Sequence, residues 1–163
     1  MNELQRWLHK QLYYDPGTGE FYWQVSGNGK SVGKIAGSLH HTGYIIIMVD
    51  KVNYPAHQLA WVYMKGEWPR YTIDHKNLNK ADNKWENLRE ATRSQNKING
   101  ILYRNNTSGS KGVHWYAKKN KWTAHISKDG KKIHLGSFLT REEAAAAYAR
   151  AAEKLFGEFA RPI

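Results

Sequence analysis

No uninterrupted apolar run in this chain exceeds six residues. A core must therefore be assembled from many short helices and strands, each apolar on one side, rather than from one or two long buried elements. The same limit excludes a membrane-spanning helix, which needs about 20 apolar residues. One of these runs, Tyr44–Val49, is rich in β-branched residues, is entered through Thr42-Gly43, and predicts a central strand. The 163 residues include no cysteine, which removes disulfides, thiol nucleophiles and Cys-based zinc sites. The opening stretch MNELQRWLHKQLYYDP lacks the apolar centre of a signal peptide. A soluble, cytoplasmic protein is expected.

The remaining elements follow from periodicity and turn chemistry. Leu4, Trp7, Leu8 and Leu12 recur at helical spacing and predict a helix over residues 1–14. The turn cluster 15–19 leads into a strand over 20–25, and a Gly/Ser-rich loop spans 26–33. His57–Met64 has helical spacing and is ended by Gly66 and Pro69. In the stretch 71–100 a short strand ends at Asp74-His75, a loop rich in Asn and Lys runs to about Glu86, residues 87–92 return as a strand, and Thr92 or Ser94 caps a helix that carries Asn96. Residues 101–109 read as a linker. Three strands are predicted beyond it, Gly112–Tyr116, Lys121–Ser127 and Lys132–Phe138, the last two joined by a turn at Lys128-Asp129-Gly130. Thr140 and Glu143 form a capping box before an Ala-rich helix, with Leu139, Ala146, Tyr148 and Leu155 expected against the sheet. The domains are thus 1–100 and 110–163, and the fold class is α+β.

Charge points to the partner. The formal net charge is +11, and it is spread along the chain. Residues 1–100 hold 13 Lys/Arg against 9 Asp/Glu, and residues 101–163 hold 12 against 5. The shorter C-terminal part is the denser cation and is expected to carry much of a nonspecific affinity for nucleic acid.

The segment 74–96 gathers the groups that phosphodiester hydrolysis requires. A water must lose a proton, for which imidazole is suited, and charge on the phosphorane must be offset, for which a hard cation on Asp and Asn oxygens is suited. Neighbours on a strand point to opposite faces, so Asp74 and His75 serve one phosphate only if the strand ends or kinks there, or if substrate lies between them. The series Asp74-His75, Asn87-Leu88-Arg89 and Asn96, with the lead-in His57–Trp61 and the phrase Glu67-Trp68-Pro69, resembles the HNH endonuclease family, in particular small phage and intron-borne members. The resemblance covers roughly residues 10–100. It implies a ββα-metal nuclease domain, here with an N-terminal β-rich extension. It further implies His75 as general base, Asp74 and Asn96 as ligands of one Mg2+ or Mn2+, and Asn87 as a brace of the loop that holds His75. The products would be 5′-phosphate and 3′-hydroxyl ends. His57 reads as a packed or capping histidine beside this segment, or as a phosphate contact; Lys76, Lys80, Lys84 and Arg89 are candidate contacts to the DNA backbone.

Residues 109–160 resemble the ethylene-response-factor, APETALA-type, DNA-binding domain through Gly112-Val113, Trp122-Thr123-Ala124, Leu135–Phe138 and Glu143-Ala144-Ala145. That resemblance implies a small three-stranded antiparallel sheet packed on one helix, with the sheet in the major groove. The matching contact positions are Lys111, His114, Tyr116, His125, Ser127, Lys132 and His134. Several of these are Arg or Trp in the plant domains, and His and Ser do not reproduce the bidentate grip of Arg on guanine. The expected function is metal-dependent cutting or nicking of double-stranded DNA, homing-type, by a monomer or homodimer. In the phage setting this would act in the host cell cytoplasm. The rival readings are a noncatalytic DNA-binding regulator on a decayed nuclease fold and a binder of structured RNA.

Overall fold

The computed structural model describes residues 1–102 and 104–161. It is an α+β protein that falls into two compact units, Met1–Ala91 and Thr92–Ile163.

The first unit opens with α1 (Glu3–Gln11), capped by an Asn2/Gln5 capping box that the sequence reading did not identify. The same two side chains tie α1 to the end of α2 (Ala56–Lys65): Asn2 Nδ2 donates to Gly66 O at 2.6 Å and Gln5 Nε2 to Tyr63 O at 3.2 Å. The helix is shorter than residues 1–14. Leu12–Tyr14 instead form strand β1, paired antiparallel with β2 (Phe21–Trp23). The reason is cross-strand packing: Tyr14 stacks on Phe21 at 4.7 Å and both are buried, which a helical continuation would forgo.

A second small sheet has the order β3-β4-β5, with β3 Ser38–Leu39, β4 Ile45–Val49 and β5 Val52–Pro55. The β-branched run is its central strand, as expected. β5 was not anticipated, because Asn53 and Pro55 interrupt the β signal of Val52 and Tyr54. Ile47 and Val49 meet Leu8, Leu12, Leu59 and Val62 in one core. The hairpin of β6 (Thr72–His75) and β7 (Leu88–Ala91) lays Ile73 and Leu88 against the same core.

In the second unit, α3 (Arg93–Asn99) is capped by Thr92 and Gln95. The segment read as a linker contains a hydrogen-bonded loop: Asn106 Nδ2 and Ser108 Oγ both donate to Ser110 O, and Arg141 Nη1 donates to Ser108 O. The sheet β8 (Val113–Tyr116), β9 (Lys121–Lys128), β10 (Lys131–Phe138) is antiparallel with β9 in the middle, and α4 (Arg141–Phe156) covers one face. The Thr140/Glu143 capping box forms as expected. Ala146 is exposed; the buried residues of α4 are Ala144, Ala152 and Phe156, and Tyr148 packs on the cluster around Ala144. Leu139 is 74% exposed, because it precedes the cap rather than lying on the helix. Leu135 is an extra residue in β10, between the His134↔His125 and Gly136↔Ala124 pairs. This bulge puts His134 and Ser137 on the face turned away from α4 and leaves Phe138 with the core.

Two stability predictions follow from local geometry. Gly112 has φ +64°, and a Cβ there would lie 2.1 Å from His125 O and 2.5 Å from the Tyr148 ring. Gly112→Ala is expected to cost about 2–4 kcal/mol. Gly130→Ala, at φ +78° in open space, should cost about 1 kcal/mol; urea unfolding of the two variants checks the order. His57, buried on α2, is held down to about 4 by burial and, secondly, by neighbouring His75. The unfolded chain, with an ordinary imidazole near 6.5, binds a proton that folded His57 refuses down to about pH 4. Its contribution is therefore complete above about pH 6.5 and is lost as pH falls from there towards 4, on the order of 3 kcal/mol in all. Thermal midpoints measured across that window should fall less steeply for His57→Leu than for the wild type.

Candidate active site and nucleic-acid interface

Strand β6 ends at His75, so Asp74 and His75 sit at the last two positions of the strand and both are buried. Both are regularly paired in the β6–β7 ladder, Asp74 with Arg89 and His75 with Leu88, so the strand is not broken between them. Asp74 lies opposite Arg89 in the β6–β7 register, and Arg89 Nε donates to Asp74 Oδ2 at 2.9 Å. Arg89 was a candidate DNA-backbone contact; its half-buried guanidinium is engaged with this carboxylate instead, because directly opposed residues share a face.

The loop 76–87 is built from amide side chains. Asn87 Oδ1 accepts from Asn77 N at 3.0 Å, Asn87 Nδ2 donates to Asp82 O at 2.7 Å, and the Asn87 carbonyl accepts from Lys76 N, the residue after His75. Asn77 Oδ1 and Asn79 Oδ1 accept from Asn79 N and Ala81 N. Side-chain amides thereby meet several of the loop's backbone donors ahead of a single 3₁₀ turn at Trp85–Asn87.

Sequence reasoning missed Asn83. It is buried, and its Oδ1 lies 3.3 Å from His75 Nε2. An amide oxygen only accepts, so the ring carries its proton on Nε2 and its basic lone pair on Nδ1. Asn83 is in turn fixed from the N-terminal hairpin: Tyr14 Oη donates to Asn83 O at 2.6 Å, and a Cβ on Gly19 would lie 2.4 Å from Lys84 N. Among a run of Asn and Lys, nothing local distinguishes this Asn from its neighbours. Burial holds His75 below the ordinary imidazole value, with the Asn83 bond and Asp74 opposing that effect.

His57 and Tyr44 complete the surroundings. The His57 ring meets His75 edge-on at 5.1 Å, and the Tyr44 ring lies 6.0 Å from His75. Among the described residues His57 Nδ1 is buried without a hydrogen-bond partner. Lys80 Nζ sits 4.8 Å over the Tyr44 ring and donates to Thr42 O at 3.1 Å. Lys76 Nζ donates to Glu86 O. His40 and His41 are an exposed loop pair, 3.9 Å apart.

Among the described residues, no group of three or more His, Cys, Asp or Glu side chains is placed to hold a metal ion. The donor chemistry nevertheless fits a hard cation, since such an ion takes one or two protein oxygens and completes its shell with water and phosphate. Asp74 offers the carboxylate in the first unit. Asn96 lies on α3 in the second unit, half-buried, with its backbone in the helix.

In the second unit six of the seven expected contact residues share a face. The register places His114, Tyr116, His125, Ser127, Lys132 and His134 on the side of the sheet away from α4. Lys111 is not among them; its Nζ donates to Ile98 O at 2.6 Å, at the C-terminal end of α3. Trp122 packs with the core, while Trp115 is 45% exposed.

Comparison with known proteins finds two families along the chain, the first match running past Ala91 into α3. A family model described as HNH endonuclease matches residues 54–98, and an AP2 domain model matches residues 108–158. An uncharacterized HNH endonuclease of Acanthamoeba polyphaga mimivirus is 31% identical over 149 residues, covering 90% of this chain and 69% of that protein. An AP2-like ethylene-responsive transcription factor of Arabidopsis thaliana is 43% identical over 54 residues, 33% of this chain and 11% of that protein. A solved structure, of DNA binding and cleavage by the HNH homing endonuclease I-HmuI, aligns with TM-score 0.43 and 23% identity over 89% of this chain and 77% of that one. With its nuclease segment around Asp74-His75 and an AP2 domain behind it, the chain belongs to the HNH endonuclease family.

Proposed function

We propose that this nuclease hydrolyses phosphodiester bonds of double-stranded DNA with His75 as general base, assisted by one divalent cation, Mg2+ or Mn2+. The observation that carries the reading is the His75–Asn83 contact. It fixes the ring and its tautomer at the end of a strand, as a base that must take a proton from a positioned water requires. Burial favours the neutral form, which is the form that accepts a proton. Asp74 and Asn96 are the residues that would hold the cation, on the strength of the family resemblance and of their oxygen donors. When bound, the cation supplies charge neutralisation at the phosphate and at the leaving 3′ oxygen. Asn87 keeps the loop closed around His75 through Asn77 and Asp82.

The AP2 sheet is the DNA anchor in this proposal. His114, Tyr116, Ser127, Lys132 and His134 present exposed side chains on one face, with His125 half-buried among them. Joining a cutting module to a binding module raises the effective concentration of the nuclease along DNA, as a homing-type enzyme that must dwell at one site requires. One copy acts on one strand at a time, so a monomer nicks; a double-strand break takes a homodimer or two successive cuts.

Supercoiled plasmid tests the reading. It should convert to nicked or linear DNA with magnesium or manganese, stop converting in EDTA, and leave 5′-phosphate and 3′-hydroxyl ends. His75→Ala should lower the rate by about 10²-fold or more with DNA affinity retained. Unchanged cutting by that variant would refute the assignment of the base. Asn83→Ala should lower the rate by a smaller factor, about tenfold, because the ring is still present but its tautomer and orientation are no longer fixed.

A further inference from the structure

Three imidazoles form a ladder across the sheet of the AP2 domain. His114 on β8 stacks on His125 of β9 with centroids 5.0 Å apart and planes at 14°; His125 meets His134 of β10 at 4.8 Å. The rungs are bonded. Thr123 Oγ1 donates to His114 O at 3.3 Å and lies 2.7 Å from His114 Nε2, so the ring is the donor in that shorter contact. His134 Nδ1 and His125 Nε2 are 3.2 Å apart and share one proton. If both of those rings were charged, two N–H groups would point at each other, and the bond would break. Among the described residues the other nitrogen of the middle ring, His125 Nδ1, is buried with no hydrogen-bond partner.

We propose that this ladder is a DNA-phosphate grip that takes up protons from solvent when the duplex docks, so that DNA affinity rises as pH falls through the neutral range. The inference rests on the reading of this face as the DNA anchor. Without DNA, the surroundings oppose charging. Tyr116 and His114 face the ladder from β8, Lys121 from β9, and Lys132 from β10; Lys97 and Lys111 line a small cavity that His125 also borders. The helix α4 lies on the opposite face and brings no acid to the rings. Burial, then Lys132, His134 and His114, hold His125 below the ordinary imidazole value. A phosphate backbone laid on the face reverses that balance. It offers acceptor oxygens to the imidazole N–H groups and offsets the mutual repulsion of cations about 5 Å apart. His does not replace the family's Arg as a reader of guanine, but a charged imidazole does replace it as a phosphate contact, conditionally on pH.

The test measures binding of the full chain to a duplex of arbitrary sequence, in EDTA at fixed ionic strength, between about pH 8 and pH 6. Each proton taken up on binding raises affinity by up to about tenfold per pH unit. Wild type is expected to tighten by about tenfold or more across the range. The triple variant His114→Gln, His125→Gln, His134→Gln should lose this response, its affinity staying nearly flat between about pH 8 and pH 6. A pH response that persists unchanged in the triple variant, or a flat wild type, overturns the inference. Histidine ring resonances of the wild-type protein, titrated with and without duplex, give an answer independent of whether the variant folds. The ladder rings should titrate higher with DNA, and unmoved titrations overturn it. Lys121→Gln with Lys132→Gln separates the two levels of the argument. If affinity at about pH 8 is untouched, this face is not the anchor; if it falls while wild type is flat in pH, only the ladder proposal fails.

Discussion

An imidazole can serve as a directed base only if its ring is fixed, and the proposed base His75 meets an amide oxygen on a loop that is mostly irregular. Asn83 Oδ1 accepts from His75 Nε2, and the loop and the N-terminal hairpin together determine where Asn83 lies. The loop cannot rely on a helix or sheet ladder. Its donors are met by Asn77, Asn79 and Asn87, and its outer side rests on the β1–β2 hairpin through Tyr14 and Gly19. The N-terminal hairpin is thus a buttress for the loop that carries Asn83. The Arg89–Asp74 pair works in the same sense from the other strand: it satisfies a buried carboxylate and fixes the register of the two strands that bracket the loop.

The two units use histidine in opposite ways. In the nuclease, burial keeps His57 and His75 toward the neutral form, and a neutral ring is what proton abstraction needs. On the AP2 sheet the rings of three strands meet at a surface. Position is what separates them: one pair is enclosed in a core, and the other set is lined up on an open sheet, so the two proposals ask opposite charge states of one residue type.

Much of the fold was legible because the signals are local. The run Tyr44–Val49, the β6 and β7 strands, the turn at Lys128-Asp129-Gly130 and the Thr140/Glu143 cap each encode their structure within a few residues. What was not legible depends on residues far apart in the chain. Leu12–Tyr14 continue a helical pattern and become a strand only because Phe21 and Tyr22 lie alongside. Asn83 looks like any Asn of its loop until Tyr14 and His75 are brought to it. The pair Asp74-His75 stood out through its company, Asn87 and Asn96, whereas the His114–His125–His134 contacts emerge only once the strands are in register. Arg89 and Lys111 read as DNA contacts; one pairs with a buried acid and the other donates to a helix end.

The extra residue in β10 makes the sheet's two sides interdependent. Strict alternation would put His134 and Phe138 on the same side; Leu135 shifts the phase between them, so an imidazole faces outward upstream and a phenyl ring faces inward downstream. Pairing Leu135 as an ordinary ladder residue would bring the aromatic ring out to the open face or carry the imidazole under the helix, whereas deleting it would leave Gly136, Ser137 and Phe138 in plain alternation after His134, with both rings on their present sides. What the two faces require is that the irregularity, while the residue is present, stays between His134 and Gly136.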